Sequence, residues 1–122
     1  MITLYGISNC DTVKKTQKWL QQHNIEYTFH DFKKQGLSEA LLSSFVEKSD
    51  WSVLLNKRST TFRQLPDDIK NNLTDEVIYT AVLAQPTLLK RPLLNRSNAT
   101  DANKLHVGFK ADQYQELFIN ES

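Results

Sequence analysis

The chain opens with two strand-length apolar segments held apart by one helix-length segment, and that spacing constrains the fold more than any later feature. Residues 2–6 are short, apolar and β-branched and end in Gly6, which reads as a buried strand. Residues 11–23 carry Val13, Thr16 or Gln17, and Leu20 at helical spacing, with Trp19 beside them, behind the capping stretch Ser8-Asn9-Cys10-Asp11. Residues 25–32 set Ile25, Tyr27, Phe29 and Asp31 against Glu26, Thr28, His30 and Phe32, an aromatic-rich alternation that predicts a second strand and falters only after Phe29. Strands joined through a helix pair in parallel with a right-handed crossover, because an antiparallel neighbour needs only a tight turn. The chain therefore begins as an α/β fold.

The remainder fills in that order. Ser38 is placed to cap a helix over 39–48 whose Leu41, Leu42, Phe45 and Val46 form one apolar stripe. Residues 51–55 continue as a short helix or turn. Thr74 caps a helix over 75–84, with Asp75 and Glu76 in the first turn, where the helix dipole favours acids, and Val77, Ile78, Ala81 and Val82 inward. Residues 92–95 and 104–107 predict an antiparallel pair around the polar turn 95–103, and 110–118 a closing helix with Tyr114, Leu117 and Phe118 inward. The expected architecture is β-α-β, a mostly helical insert over about 37–85, then β-β-α, all within one domain spanning 1–122. A chain of 122 residues supports one core and little more. Its apolar runs, such as Val53 to Leu55 and Ala81 to Ala84, fall far short of the roughly 20 residues that span a bilayer. No basic segment followed by an apolar one opens the chain, so a cytoplasmic monomer without membrane partners is expected.

Net charge is +1, which argues neither for a nucleic-acid coat nor for a membrane-surface binder. The distribution is more informative. Residues 54–66 hold Lys57, Arg58 and Arg63, and residues 86–98 hold Lys90, Arg91 and Arg96, with no acid in either. These segments take six of the 15 basic residues, so the rest of the chain is acidic on balance. Brought together, they would offer a small anion a charge-assisted site. Lys14 is expected to assist such a site, while Arg63 and Arg96 are assigned to the surface.

Cys10 is the only cysteine in the chain. It falls where the first strand passes into the first helix, and free N–H groups at a helix start stabilise an anion, so its thiol pKa is expected below the free-thiol value of about 8.5. Lys14 lies one turn on and adds positive charge, whereas Asp11 works against it. An inert buried thiol is the competing reading, and position favours the reactive one. No second cysteine exists to resolve an adduct, so a redox cycle must use an external thiol. His23, His30 and His106 have no spacing that argues for a Cys/His hydrolase, and no metal site is expected from them. Pro92 opens a strand, where its missing N–H is tolerated.

Five blocks in order complete the reading: Tyr5-Gly6-Ile7-Ser8-Asn9-Cys10-Asp11-Thr12-Val13-Lys14-Lys15, His30-Asp31-Phe32, residues 54–63 around Lys57-Arg58, Lys90-Arg91-Pro92-Leu93-Leu94, and Val107-Gly108-Phe109. Together they resemble the arsenate reductase (ArsC) family, in particular its YffB-like branch, with the Spx regulators as relatives. The resemblance covers nearly the whole chain. It implies a thioredoxin-like fold with a helical insertion, Cys10 as the nucleophile, Arg58 and Arg91 as oxyanion or carboxylate ligands, and a cis Pro92 facing the cysteine.

Two departures alter the expected substrate. The family's late arginine, followed by proline, is replaced here by Leu105-His106-Val107-Gly108-Phe109, and its Cys-x-x-Ser becomes Cys10-Asp11-Thr12-Val13. Losing one charge-assisted contact weakens binding of a tetrahedral dianion by about 1.5–3 kcal/mol. The expected activity is thus a glutathione-dependent thiol reductase acting on a small oxidised substrate, with no tightly bound cofactor and with glutathione as reducing co-substrate, its tripeptide adding along an edge at Pro92. Arsenate reductase proper is one alternative. A non-catalytic Spx-like regulator that binds RNA polymerase is the other, although no DNA-binding pattern is present.

Overall fold

The strand β1, Ile2–Gly6, is central to a four-stranded sheet in the order β2-β1-β3-β4. A computed structural model describes residues 2–96 and 105–120, and these divide into two compact units, one of residues up to 34 and from 91 onward, the other of residues 35–90. In the first unit β2, Thr28–Asp31, runs parallel to β1 with Thr3 opposite Thr28 and Gly6 opposite Asp31. The crossover between them is α1, Asp11–Gln22. On the other side of β1, β3, Leu93–Arg96, pairs antiparallel, and the two-residue β4, His106–Val107, pairs antiparallel with β3.

One sheet face carries the core of this unit. Leu4 and Leu94 meet Leu20 of α1 and Tyr114 of the last helix, and all four are fully buried. Burying a leucine completely contributes about 1.5–3 kcal/mol. Trp19 meets Tyr114 edge-on at 5.5 Å, and Phe109 does so at 4.9 Å, both in the arrangement that ring quadrupoles favour.

The expected strand over 25–32 is shorter at both ends. Ile25 and Tyr27 pack against the core without joining the ladder, because their alternation serves burial alone. Phe32 leaves the sheet into a short helix, α2, Phe32–Gln35, since the Asp31 carboxylate accepts the Lys33 N–H at 2.9 Å and so starts a helical turn. The antiparallel pair after residue 92 is present, whereas Lys104 and most of the expected turn lie outside the described residues. The closing helix is α-helical only over Ala111–Gln115 and continues as a π-helical turn, Glu116–Asn120.

Arg96 corrects the sequence reading. It is buried, not a surface charge: Nη1 donates to the Leu117 carbonyl at 2.6 Å, and the guanidinium lies 5.4 Å from the Phe118 ring centroid. A carbonyl in the last turn of a helix has no intrahelical donor, and a strand residue supplies one here. Arg63 is exposed, as expected.

The second unit is helical. α3, Glu39–Lys48, and the later helix Asp75–Ala84 have the expected boundaries because their caps form: Ser38 Oγ accepts the Leu41 N–H at 3.1 Å, and Thr74 Oγ1 accepts the Val77 N–H at 3.2 Å. Between them lie α4, Trp51–Leu54, α5, Thr60–Arg63, and α6, Asp67–Lys70, so that Asp75–Ala84 is α7. Four-residue helices are too short to show a period, and α5 and α6 are not evident from the sequence. Leu42, Phe45, Leu54, Ile78, Val82, Leu88 and Leu89 are buried. Among the described residues no helix is long and apolar enough to cross a membrane.

Candidate active site

The site residues of the first unit stand at the carboxyl end of β1. Gly6 is buried, and a Cβ there would lie 2.8 Å from Val13 Cγ2. Only glycine lets α1 approach the strand this closely. The chain then turns through buried Ile7 and exposed Ser8 and Asn9 to half-buried Cys10. Cys10 is the N-cap residue of α1, with extended backbone (φ −96°, ψ 125°) and no capping hydrogen bond from its side chain. Its N–H donates to the Ile7 carbonyl at 3.3 Å, and its carbonyl accepts the Lys14 N–H at 2.9 Å as the first bond of the helix. The sulfur is thus carried at the end of α1 where N–H groups are unsatisfied, and exposed Lys14 follows one turn later.

Pro92 lies one residue before Leu93, which stands opposite Tyr5, so continuing the register sets Pro92 opposite Gly6. The Arg91–Pro92 peptide bond is cis, as the family resemblance implies. The expected edge at Pro92 is corrected, because β3 is an interior strand and the Pro92 carbonyl accepts the Gly108 N–H at 2.8 Å. Pro92 is buried and Arg91 half-buried.

Arg58 belongs to the helical unit. There the two acid-free segments do meet: Lys90 N–H donates to the Leu54 carbonyl and Asn56 N–H to the Leu88 carbonyl, each at 2.8 Å, with Leu55 bridged to Leu89 between them. The Thr61 and Thr87 hydroxyls add a bond of 2.7 Å. The Asn56 side chain accepts the Arg58 N–H at 3.1 Å and holds the following turn. The result is a cavity of about 540 Å³ lined by Lys57, Arg58 and Lys90 beside Trp51, with no acidic lining residue.

One residue of the site escaped the sequence reading. Asp31, at the end of β2, is buried, yet its carboxylate is held below the ordinary range. Burial alone would raise it. Hydrogen bonds from the Lys33 N–H, the Ser8 hydroxyl and N–H, and the Lys34 N–H together outweigh that burial. Beside it the Tyr5, His30 and Phe32 rings pack, Tyr5 against His30 at 5.3 Å. An aspartate ending a strand directly opposite a strand-ending glycine was the available signal. Among the described residues no cluster could hold a metal ion.

The ArsC family model matches residues 5–117, nearly the whole chain. The chain belongs to the ArsC family. A solved structure of a YffB protein superposes with a TM-score of 0.83 at 38% identity, covering 93% of this chain and 96% of that one. An arsenate reductase related protein from Brucella melitensis superposes at 0.76 with 47% identity, covering 97% and 94%. The global transcriptional regulator Spx of Lactiplantibacillus plantarum is 29% identical over 96% of this chain and 86% of its own length. The α/β fold, thioredoxin-like with a helical insertion, is thus shared with ArsC-family structures over nearly their full length.

Proposed function

We propose that this ArsC-family chain is a glutathione-dependent thiol reductase whose nucleophile is Cys10. The observation that carries the reading is the placement of the chain's single cysteine at the N-cap of α1, half-buried and with no capping bond from its side chain. That helix end carries unsatisfied N–H groups, and the thiolate is the species by which a cysteine attacks.

The reaction balances with one protein sulfur. The Cys10 thiolate attacks the glutathione sulfur of a mixed disulfide, forming a Cys10–glutathione disulfide and expelling the other sulfur as a thiolate, which takes a proton. A second glutathione, as its thiolate, attacks the glutathione sulfur of that adduct, releasing oxidised glutathione and regenerating the Cys10 thiolate. The net change is reduction of the mixed disulfide to the substrate thiol and formation of oxidised glutathione. Such chemistry belongs to a reducing compartment such as the cytoplasm. In this reading Arg58 and Arg91, assisted by Lys14, take the carboxylates of glutathione, for which planar guanidinium groups are suited, and Pro92 borders the loop that carries the sulfur. The acid-free cavity at Lys57, Arg58 and Lys90 supports an anionic ligand.

Mass spectrometry after incubation with oxidised glutathione tests the proposal. Wild-type protein is expected to gain one glutathione mass and Cys10→Ser none, with glutathione-dependent reduction abolished in the variant. The relationship to Spx supports a second reading, a binding module without turnover. Absence of an adduct on wild type, together with equal capture of RNA polymerase by wild type and Cys10→Ser, would establish that reading and end the first.

A further inference from the structure

Two cavities of opposite charge adjoin in the helical unit. One, of about 830 Å³, opens where α3, α4 and α7 meet and is lined by Asp50, Asp75 and Glu76 beside the half-buried Tyr79 ring. The other is the acid-free cavity of Lys57, Arg58 and Lys90. Trp51 and Ser52 line both, so α4, four residues and hence about 6 Å long, forms the wall between them. The acids have local uses: Asp50 Oδ1 accepts the Val53 N–H at 3.3 Å and the Ser52 hydroxyl, and Asp75 and Glu76 begin α7, where the dipole favours them. Those uses leave the charges unneutralised. Among the described residues the ion pair formed is Lys70 with Asp67, and none of the six charged lining residues joins one. The Tyr79 hydroxyl donates to the Glu39 carbonyl at 3.1 Å and lies 3.0 Å from Ser43 Oγ, which fixes its ring on the acidic side.

We propose that the helical unit binds a short zwitterionic peptide across α4, with its free ammonium group in the cavity of Asp50, Asp75 and Glu76 and its free carboxylate in the cavity of Lys57, Arg58 and Lys90. Aromatic faces beside carboxylates suit an ammonium group, and a guanidinium between two lysines suits a carboxylate. An anion alone would leave the acids without a partner, and a cation alone the bases. A single amino acid carries its two charges about 3.5 Å apart at most, less than the length of α4, whereas an extended tripeptide spans about 10 Å. Glutathione, which ends in a γ-glutamyl ammonium group and a glycyl carboxylate, and an ordinary tripeptide share this chemistry. With glutathione as ligand the inference deepens the reductase reading and rests on it, and with an ordinary peptide it stands apart.

The test uses the full chain as Cys10→Ser, so that no thiol chemistry intervenes, and follows the NMR signal of the Trp51 indole N–H, identified by its loss in Trp51→Phe. Trialanine and S-methylglutathione are the probes, and binding is expected to shift that signal to saturation. N-acetylation of the bound peptide, or amidation of its C-terminal residue, should each weaken binding about fivefold or more, the upper range for an exposed ion pair. Glu76→Gln should weaken the free peptide while leaving its N-acetyl form unchanged, and Lys90→Gln should do the same with respect to the amide. Tighter binding of S-methylglutathione assigns the site to glutathione, and tighter binding of trialanine assigns it to ordinary peptides. A signal unmoved by both probes, or blocked forms that bind as tightly as free ones, overturns the inference. So does inorganic phosphate binding as tightly as the zwitterions, which would make the basic cavity a simple anion site. The nucleophile reading is decided separately, by the glutathione adduct on wild type, so either can fail without the other.

Discussion

The two units hold their candidate site residues by different means. In the sheet unit, Cys10 and Pro92 are placed by ladder register: β1 pairs on both sides, and the loop and the proline follow from where its ladders end. In the helical unit, Arg58 and Lys57 are placed by side chains capping short turns and by one isolated bridge between the segments around Leu55 and Leu89. A ladder averages its geometry over many main-chain bonds, whereas a cap depends on one oxygen. Cys10 thus sits on the better-determined scaffold, and the cations of the second unit sit on one where single substitutions act locally.

The largest effect that sharpens this contrast is expected at Gly6. Gly6→Ala forces a Cβ against Val13 Cγ2 and should destabilise the chain by about 1–3 kcal/mol in urea unfolding, as overpacking does. Adding Val13→Ala should recover part of that loss, and a double variant no better than the sum of the singles would show that the contact is not the cause. Cap removal comes next. Ser38→Ala and Thr74→Ala should each cost about 0.5–2 kcal/mol, read as faster amide exchange confined to α3 or α7 with the β1–β3 amides unchanged. Equal loss of protection in the sheet would mean that the two scaffolds are not distinct in their response.

The smallest effect is expected inside the sheet unit's core. The Tyr114 hydroxyl is buried with no hydrogen-bond partner among the described residues, and burial pushes its ionisation upward. A group raised in the folded state contributes stability that is fully present below its unfolded pKa of about 10 and is lost as pH rises through the folded value. Tyr114→Phe should raise stability at neutral pH by up to about 1 kcal/mol. It should also lose less stability than wild type between pH 9 and 11, roughly the range where the unfolded phenol titrates. A drop in stability at neutral pH would imply that the hydroxyl is satisfied after all.

What the sequence makes legible follows the same division. Helices long enough to carry a stripe and a polar cap, such as α3 and α7, are readable to their ends, because Ser38 and Thr74 act through bonds three residues away. Charge alone marks the two acid-free segments as partners, but the bonds that join them, Lys90 to Leu54 and Asn56 to Leu88, link main chains whose pairing no side-chain pattern announces. Cys10 and Pro92 are recognisable because local chemistry marks a helix start and a strand start. Asp31 and Arg96 are not, since burial of each is made tolerable by main-chain partners that no side-chain pattern announces, the Lys33 N–H in one case and the distant Leu117 carbonyl in the other.

The order of the sheet also governs what happens while the chain is being made. β1 and β2 leave the ribosome together with α1 between them, but β3, the other neighbour of β1, follows only after the entire helical unit. At about 5–20 residues per second, the roughly 60 residues between β2 and β3 take on the order of 3–12 s to synthesise. During that interval one side of β1 has its N–H and C=O groups open, an unprotected edge of the kind that recruits other strands. The cysteine loop is already complete in this half-built sheet, so a nascent chain carries the thiol before it carries Pro92. Chains stalled or truncated before Leu93 would then be both prone to associate through β1 and open to oxidation at Cys10.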